Sequence, residues 1–207
     1  MEDRQRAVKM KTIIIATKNK GKIREMVEEF AELPVIIRAL DEFGELPDAV
    51  ESGHTFAENA RIKAAFYSRL TGQACLADDS GLEIDILDKR PGIYSARFAG
   101  DNASDGDNNK KMISEMKKAG VDSSNARYKC VLAFFDINGR ILQAEGECEG
   151  KIKLSPKGSN GFGYDPYFYI RGGKKSMAEI SALEKNEISH RGKAVKRMKI
   201  LLAEYLA

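Results

Sequence analysis

Short apolar runs alternate with helical patterns over the first part of the chain. Residues 12–16, 35–39 and 74–77 are apolar runs typical of buried strands, whereas apolar residues recur at helical spacing within 23–30 and 55–70. The order of strand, helix and strand predicts a β-α-β unit at the start of the fold. We therefore expect an α/β protein.

The middle of the chain carries a different pattern. Residues 127–137 and 140–152 are long strand-like runs, and Asn138-Gly139 between them is a strong signal for a tight hairpin turn. We expect a long β-hairpin, over about 125–152, that extends the sheet as a second lobe.

Two other segments are assigned from their polar residues. Residues 100–109 are polar and acidic, so we expect a mobile loop there before a helix at 110–119. A last helix is predicted over about 194–206, with Ser189 as its expected N-cap.

The composition is that of an ordinary globular chain. Its 207 residues suit a single domain, with the charged residues 1–11 as a polar lead. The 34 basic and 31 acidic residues give a net charge of +3, too balanced to predict binding to nucleic acid. Cys75, Cys130 and Cys148 lack metal-ligand spacing and lie in or beside apolar runs, as in a reduced protein. No stretch is long enough for a membrane span or a signal peptide, so we expect a cytoplasmic protein without a membrane partner.

The segment around Asp78-Asp79 is the main candidate for chemistry. The apolar run 74–77 leads into these carboxylates, and we expect Ser80-Gly81 to turn the chain into a second, half-exposed strand. Adjacent carboxylates at the end of a buried strand are unfavourable unless a positive charge lies nearby, and Mg²⁺ prefers such ligands. An Asp-rich turn that binds no metal is the alternative.

Positive charge is concentrated at two predicted helix starts. The residues concerned are Thr17, Lys18, Asn19, Lys20, Gly21 and Lys22 before the first helix, and Lys185, His190 and Arg191 before the last one. Backbone N–H groups at a helix N-terminus, with lysines beside them, form a natural phosphate site. Arg97, in a short predicted helix, is a further candidate for a phosphate ligand. Solvated helix starts and a surface ion pair are the alternatives.

A glycine-rich loop at 155–166 is the candidate for binding a planar ring. Glycines such as Gly163 let the backbone approach a ligand closely. Phe162 and Tyr164 offer flat faces for a base, and Asp165 offers an acceptor for its edge. The alternative is a turn whose aromatic residues return to the core.

Four other polar residues are less distinctive. Asp48 and Glu51 lie in an acidic loop and can reach a metal, although each by itself is better explained as a solvated side chain. Asn59 and Lys63 lie one turn apart on the predicted second helix and can point into a site, although we expect a solvated face.

These signals are chemically complementary. Cationic helix starts bind anions, an acidic segment binds a divalent cation, and a loop with aromatic residues binds a planar ring. A nucleoside triphosphate with Mg²⁺ satisfies all three. No order of Ser, His and Asp or of Cys and His indicates a covalent intermediate, so the expected reaction is attack of water on phosphorus, assisted by a carboxylate.

The chain resembles the inosine triphosphate pyrophosphatase family in six segments. They are TKNKGK at 17–22, ESGHTFAENA at 51–60, ADDSGLEID at 77–85, PGIYSARFAG at 91–100, GFGYDP at 161–166 and EKNEISHRGKA at 184–194. They follow the family order and span nearly the whole chain. Lys18 stands where many members have glycine, which affects only the fine shape of the phosphate turn.

The resemblance implies an architecture and an activity. The fold would be an elongated mixed β-sheet flanked by helices, with two lobes and a central cleft, in a homodimer. The activity would be Mg²⁺-dependent hydrolysis of ITP, dITP and XTP to the monophosphate and pyrophosphate, which removes these nucleotides from the pool.

The resemblance also assigns roles to residues. Asp79 would be the general base or water-orienting group and a metal ligand, and Ser80 would touch the substrate. Glu51 would be the second metal ligand, with Asp78 and Asp48 as rivals. Residues 17–22 would bind phosphate. The residues that would hold the base and its sugar-phosphate are Phe162, Gly163, Tyr164, Asp165, Lys185, His190 and Arg191.

Two other functions stay open at this point. A nucleotide- or RNA-binding module would use the same basic clusters and aromatic residues. Asp78 and Asp79 would repel a phosphate backbone without a metal, so we expect no stable nucleic-acid partner. A phosphatase acting on another nucleotide, such as a modified pyrimidine, would share all of these features.

Overall fold

One mixed β-sheet organises this computed structural model, which describes residues 10–207 apart from the side chain of Lys20. The strands are β1 (Lys11–Ile15), β2 (Val35–Ala39), β3 (Ala74–Ile84), β4 (Ser123–Phe135), β5 (Ile141–Lys153) and β6 (Phe168–Ile170). Their order is β2-β1-β3-β4-β5-β6. β2, β1 and β3 are parallel, and the remaining neighbours are antiparallel. The predicted α/β fold with a mixed sheet is confirmed.

Helices flank this sheet. They are α1 (Lys20–Glu29), α2 (Phe56–Thr71), α3 (Asp105–Lys118), α4 (Ala182–Ile188) and α5 (His190–Leu206). Ser189 caps α5 by accepting a hydrogen bond from the Gly192 N–H, as predicted. None of these helices combines the length and apolar character that crossing a bilayer requires.

Two predicted segments, the polar lead at 1–11 and the loop at 100–109, differ from the structure in detail. Residues 1–9 of the predicted polar lead lie outside the described residues, and Lys11 belongs to β1. The expected loop at 100–109 is wrong, because α3 already begins at Asp105. Ser104 and Asp107 form a capping box there, so the acidic residues stabilise a helix start.

The long hairpin is confirmed. β4 and β5 pair from Phe135 with Ile141 to Ser123 with Lys153. Gly139 has a φ of 84° and donates its N–H to the Asp136 carbonyl at 2.8 Å, so a left-handed glycine closes the turn. The apolar residues beside β1 and those at the far end of the hairpin form separate clusters, and β3, β4 and β5 run through both regions.

The expected turn at Ser80-Gly81 is wrong. β3 is continuous from Ala74 to Ile84 and pairs with β4 over Cys75–Ile84. A Cβ at Gly81 would lie 2.3 Å from the Gly92 carbonyl oxygen, so this glycine permits a close approach of backbones within a strand. Leu82 and Ile84 are fully buried, so the second strand is not half-exposed either.

A gap in strand pairing positions the site. β1 pairs with β3 only over Ala74–Leu76, after which the chain leaves the sheet through the turn at 17–19. Within residues 10–207, the same edge of β3 has no further strand partner before the single bridge between Glu83 and Pro91. This unpaired edge opens a cleft at the carboxyl end of β1, where parallel sheets commonly bind ligands.

Candidate active site

Asp78 and Asp79 face different sides of the sheet, because successive side chains of a strand alternate. Asp78 pairs with Leu132, whose apolar cluster packs under α1 and α5. Asp79 pairs with Val131, whose cluster packs under α2. We call these the α5 side and the α2 side of the site.

On the α5 side, Asp78 is the counter-charge for two cations. Its carboxylate lies 2.7 Å from Lys22 Nζ and 3.7 Å from Arg191 Nε. Arg191 also donates to Ser80 Oγ at 3.3 Å. Burial alone would raise the pKa of Asp78, but Lys22, Arg191 and Lys63 together lower it well below its ordinary value. Asp78 therefore stays ionised and holds Lys22 and Arg191 at the cleft.

On the α2 side, Lys63 contacts both Glu51 and the backbone of β3. Its Nζ lies 2.5 Å from Glu51 Oε1 and donates to the backbone oxygen of Asp78 at 3.1 Å. Asn59 is fully buried and accepts from the Gly53 N–H at 2.8 Å. The sequence interpretation of Asn59 and Lys63 as a solvated face is therefore wrong.

The carboxylate of Asp79 is poorly satisfied. It is 8% exposed, and its Oδ2 is buried without a hydrogen-bond partner among the described residues. Burial raises the pKa of Asp79 to about 6, with Glu51 adding to the rise and Lys63 opposing it. Such a group can accept a proton near neutral pH.

Glu51 and Asp79 are the residues that fit a divalent cation. Both lie beside Lys63, and the free oxygen of Asp79 offers the hard donor that Mg²⁺ prefers. No cluster of three or more His, Cys, Asp or Glu side chains suited to a metal occurs between residues 10 and 207. A cation here would therefore complete its shell with water or substrate oxygens.

The rival metal ligands are each paired with a cation, as Glu51 is with Lys63. Asp78 is paired with Lys22 and Arg191, as described above. Asp48 pairs with Lys18 at 2.9 Å, and both side chains are exposed to solvent.

The loop around Asp165 forms one wall of the cleft. The buried Asp165 carboxylate accepts hydrogen bonds from the Phe162 N–H at 3.0 Å, Lys185 Nζ at 2.5 Å and the Tyr128 hydroxyl at 3.3 Å. Both of its oxygens are thus occupied in holding the loop. The sequence predicts that Asp165 accepts a hydrogen bond from the edge of a base. It can do so only by sharing an oxygen that already accepts one of these hydrogen bonds.

The two aromatic residues of the loop differ in exposure. Phe162 is 51% exposed, and Lys185 Nζ lies 4.7 Å from its ring centroid. Tyr164 is buried and donates its hydroxyl proton to the Ser95 carbonyl at 2.8 Å. The Gly163 N–H donates to Asp105 at 2.7 Å, which ties the loop to the start of α3. Phe162 is therefore the ring of this loop that is open for stacking.

His190 forms the opposite wall. It is the first residue of α5, is buried, and stacks on Tyr128 with centroids 4.7 Å apart and ring planes 14° apart. Burial, Arg191 and Lys185 lower the pKa of His190 well below its ordinary value, so the ring is neutral at pH 7. Its Nδ1 is buried and has no partner among the described residues.

These walls enclose a cavity of ≈ 170 Å³ beside the unpaired edge of β3. The polar and aromatic side chains that line it include Lys22, Ser80, Tyr128, Phe162, Asp165, Lys185, His190 and Arg191. Cationic groups and flat rings therefore meet in one space.

The turn before α1 contributes mainly through Lys22. Asn19 Oδ1 accepts from the N–H groups of Gly21 and Lys22 at 2.9 and 3.2 Å, and Thr17 Oγ1 accepts from the Asn19 N–H. Lys18 points to Asp48, and the side chain of Lys20 lies outside the described part. The turn is thus a built helix cap that presents Lys22 to the cavity.

Arg97 is not brought to this cavity. It lies over the ring of Tyr94, 5.3 Å from its centroid, and lines a different cavity together with Phe98 and Lys111. The structure therefore gives no support for Arg97 as a ligand of the same phosphate.

The cysteines are also excluded from the chemistry. Cys75, Cys130 and Cys148 are free and buried. Burial raises the pKa of Cys75 and of Cys130 to about 12, so neither thiol is an activated nucleophile.

Known proteins match this chain over nearly its full length. A model of the Ham1 family matches residues 13–201. A protein of Desulforamulus reducens named dITP/XTP pyrophosphatase is 46% identical over 195 residues, which cover 94% of this chain and 97% of the relative. A protein of Geobacter sulfurreducens with the same name is 42% identical over 190 residues, 92% of this chain and 96% of the relative. A solved structure of a HAM1 protein from Coxiella burnetii superposes with a TM-score of 0.88 at 40% identity, over 94% of this chain and 100% of that one.

Proposed function

Because this chain belongs to the Ham1 family, we propose that it hydrolyses ITP, dITP and XTP to the nucleoside monophosphate and pyrophosphate. The activity is that of a nucleoside-triphosphate pyrophosphatase. The observation that carries this proposal is the single cavity in which Lys22, Lys185 and Arg191 meet Phe162 and His190. Anion-binding and ring-binding groups are thereby presented to one small molecule.

The base is held between Phe162 and the start of α5. The exposed ring of Phe162 provides a stacking face, and Arg191 provides N–H donors beside it. The neutral ring of His190 adds a further N–H, which can donate to the 6-oxo oxygen of hypoxanthine or xanthine. An adenine amino group in that place would leave buried donors unpaired, which disfavours ATP.

The triphosphate crosses the unpaired edge of β3. Lys22 and Arg191 attract its oxygens on the α5 side, in competition with Asp78. Lys63 supplies positive charge on the α2 side. Preformed charges of this kind stabilise the charge that develops on phosphoryl oxygens.

Asp79 activates the water. Its raised pKa and unpaired Oδ2 suit it to orient a water molecule and to accept its proton as the water oxygen bonds to phosphorus and the phosphoanhydride bond breaks. Glu51 and Asp79 would hold Mg²⁺, which supplies neutralisation of phosphate charge when bound.

We further propose a homodimer that acts in the cytoplasm. The three buried, free cysteines support a reducing compartment. Light scattering after size exclusion tests the assembly, and a mass near 22.9 kDa, that of one chain, would contradict the dimer.

A substrate panel with product analysis tests the activity. The protein is incubated with Mg²⁺ and ITP, dITP, XTP, ATP, GTP or a modified pyrimidine triphosphate, and released phosphates are identified. We expect pyrophosphate from ITP, dITP and XTP in preference to ATP and the modified pyrimidine triphosphate, whereas turnover of GTP, which shares the 6-oxo group, measures discrimination against the 2-amino group. Release of orthophosphate would refute the assigned bond, and equal turnover of ATP would refute recognition of the 6-oxo group.

A further inference from the structure

Tyr128 occupies a central position behind the cavity. It lies on β4, and its ring stacks on His190 on one side and packs against Phe168 at 4.5 Å, tilted by 39°, on another. It is 7% exposed and lines the cavity. The orientation of the His190 ring therefore depends on the ring of Tyr128.

The hydroxyl of Tyr128 reaches the opposite wall. It donates to Asp165 Oδ1 at 3.3 Å, while Asp165 Oδ2 accepts from the Phe162 N–H and from Lys185. Burial, followed by the charge of Asp165, raises the pKa of Tyr128 well above its ordinary value, so the hydroxyl remains a donor. One side chain thus contacts the group that fixes the Phe162 loop and the ring that begins α5.

We propose that Tyr128 is a positioning residue that sets the spacing and orientation of the two walls between which the base binds. The proposal rests on the proposed function, because it names the group that orders the base site of that reaction. Tyr128 lies away from the carboxylate of Asp79, which faces the other side of the sheet. Its loss should therefore weaken nucleotide binding and leave the chemical step largely unchanged.

Two substitutions separate the roles of the ring and the hydroxyl. Tyr128→Phe keeps the stack on His190 and removes the hydrogen bond to Asp165, and we expect a rise of about threefold in KM for ITP. Tyr128→Leu removes the stack as well, and we expect a rise of about tenfold. In both variants kcat should stay within about twofold of wild type, because transition-state groups are untouched.

Tyr205 provides a matched control. It is a tyrosine of α5 whose hydroxyl donates to the Asp136 carboxylate at 2.6 Å and whose ring packs against Phe134, away from the cavity. Tyr205→Phe removes the same kind of hydrogen bond and should leave KM for ITP unchanged. A change equal to that of Tyr128→Phe would show that the loss of any Tyr–Asp hydrogen bond has this effect.

Inorganic tripolyphosphate distinguishes positioning of the base from general damage to the site. It has no base, so its inhibition constant against ITP hydrolysis should be the same in wild type and in both Tyr128 variants. A parallel rise in the inhibition constant and in KM would overturn the proposal, since the whole cleft would then be disturbed. If Tyr128→Leu does not fold, Tyr128→Phe carries the test alone, because it keeps the ring.

The possible failures are distinguishable. If wild-type protein does not hydrolyse ITP, the proposed function itself is refuted. If wild type hydrolyses ITP and the folded Tyr128 variants have the same KM for ITP as wild type, only the role of Tyr128 is refuted.

Discussion

Asp78 and Asp79 are adjacent in the sequence, yet their carboxylates lie on opposite faces of β3. Asp78 is surrounded by Lys22 and Arg191, which keep it ionised, whereas burial raises the pKa of Asp79 to about 6. Neighbouring carboxylates whose pKa values are driven apart commonly take different roles. Here one holds the cations in place, and the other is free to act on water. The unpaired edge of β3 lets both sides reach the same cleft.

Replacement of Asp79 should abolish most of the turnover. Asp79→Asn removes the proton acceptor and a metal ligand while preserving shape, and we expect kcat for ITP to fall about 10²- to 10⁴-fold. Steady-state kinetics with Mg²⁺ measures this, and circular dichroism checks that the fold is intact. A folded variant with near-wild-type rate would show that Asp79 is not the base.

The raised pKa of Asp79 predicts a pH-dependent stability of the metal-free protein. Between the ordinary value of 3.8 and about 6, the folded protein holds a proton that the unfolded chain has released. Stability from this group therefore falls as pH rises through that window. Asp79→Asn lacks the effect, so its stability relative to wild type should rise from pH 4 to pH 7 by at most about 3 kcal/mol. Denaturant unfolding in the presence of a chelator measures this, and a pH-independent difference would contradict it.

Asp78 should matter for folding more than an exposed carboxylate does. Asp78→Asn leaves the Arg191 side chain, which is 5% exposed, without its main counter-charge, and we expect a loss of about 3–5 kcal/mol. The control is Asp48→Asn at the exposed pair with Lys18, which should have no measurable effect. Equal unfolding midpoints for the two variants would refute the structural role of Asp78.

Magnesium should stabilise the protein through Glu51. A ligand at about 100 times its Kd adds about 2.7 kcal/mol to the stability of the folded state, so Mg²⁺ should raise the Tm of the wild-type protein. Glu51→Gln should lose most of this shift, whereas Asp48→Asn should keep it. The assignment of Glu51 fails if all three proteins respond to Mg²⁺ alike.

The close approach at Gly81 predicts a sensitive position in β3. Gly81→Ala would place its Cβ 2.3 Å from the Gly92 carbonyl, and we expect a destabilisation of about 1–3 kcal/mol. Gly106→Ala on α3 is the control, because the nearest atom there lies at 3.6 Å and alanine favours helix. Thermal unfolding measures both variants, and a Gly81→Ala protein as stable as Gly106→Ala would contradict the close approach of the Gly92 carbonyl.

Local patterns predicted those parts of the fold that local forces determine. β1, β2 and the hairpin follow from apolar runs and from Asn138-Gly139, which directs a turn by itself. Ser80-Gly81 gives the same kind of local signal, but the pairing of this segment with β4 overrides it. That pairing joins segments whose proximity no local pattern reveals.

The sequence predicts those residues of the site that lie at the starts of helices. Cations before a helix predict an anion site, and the structure places Lys22, His190 and Arg191 around one cavity. For Asn59 and Lys63 the sequence favours a solvated face over a place in the site, because helical periodicity does not show which polar residue a neighbouring loop will cover. The loop before the helix covers both side chains: Asn59 accepts a hydrogen bond from the Gly53 N–H, and Lys63 forms an ion pair with Glu51.

Tyr128 was missed for a related reason. A tyrosine within an apolar strand indicates a buried hydroxyl that needs a partner, which is the signal that sequence offers. The partner, Asp165, lies 37 residues further along the chain and is revealed only by the folded structure. Arg97 is the opposite case. The sequence suggests it as a phosphate ligand, but it lies at a different cavity.

The most direct test of the central claim is the position of a bound substrate. A crystal structure of the Asp79→Asn variant with ITP and Mg²⁺ would show which groups the intact triphosphate contacts. We predict hypoxanthine between Phe162 and His190, with the triphosphate crossing the unpaired edge of β3 from Lys22 toward Glu51 and Lys63. A nucleotide bound elsewhere, or one confined to a single face of the sheet, would contradict this account.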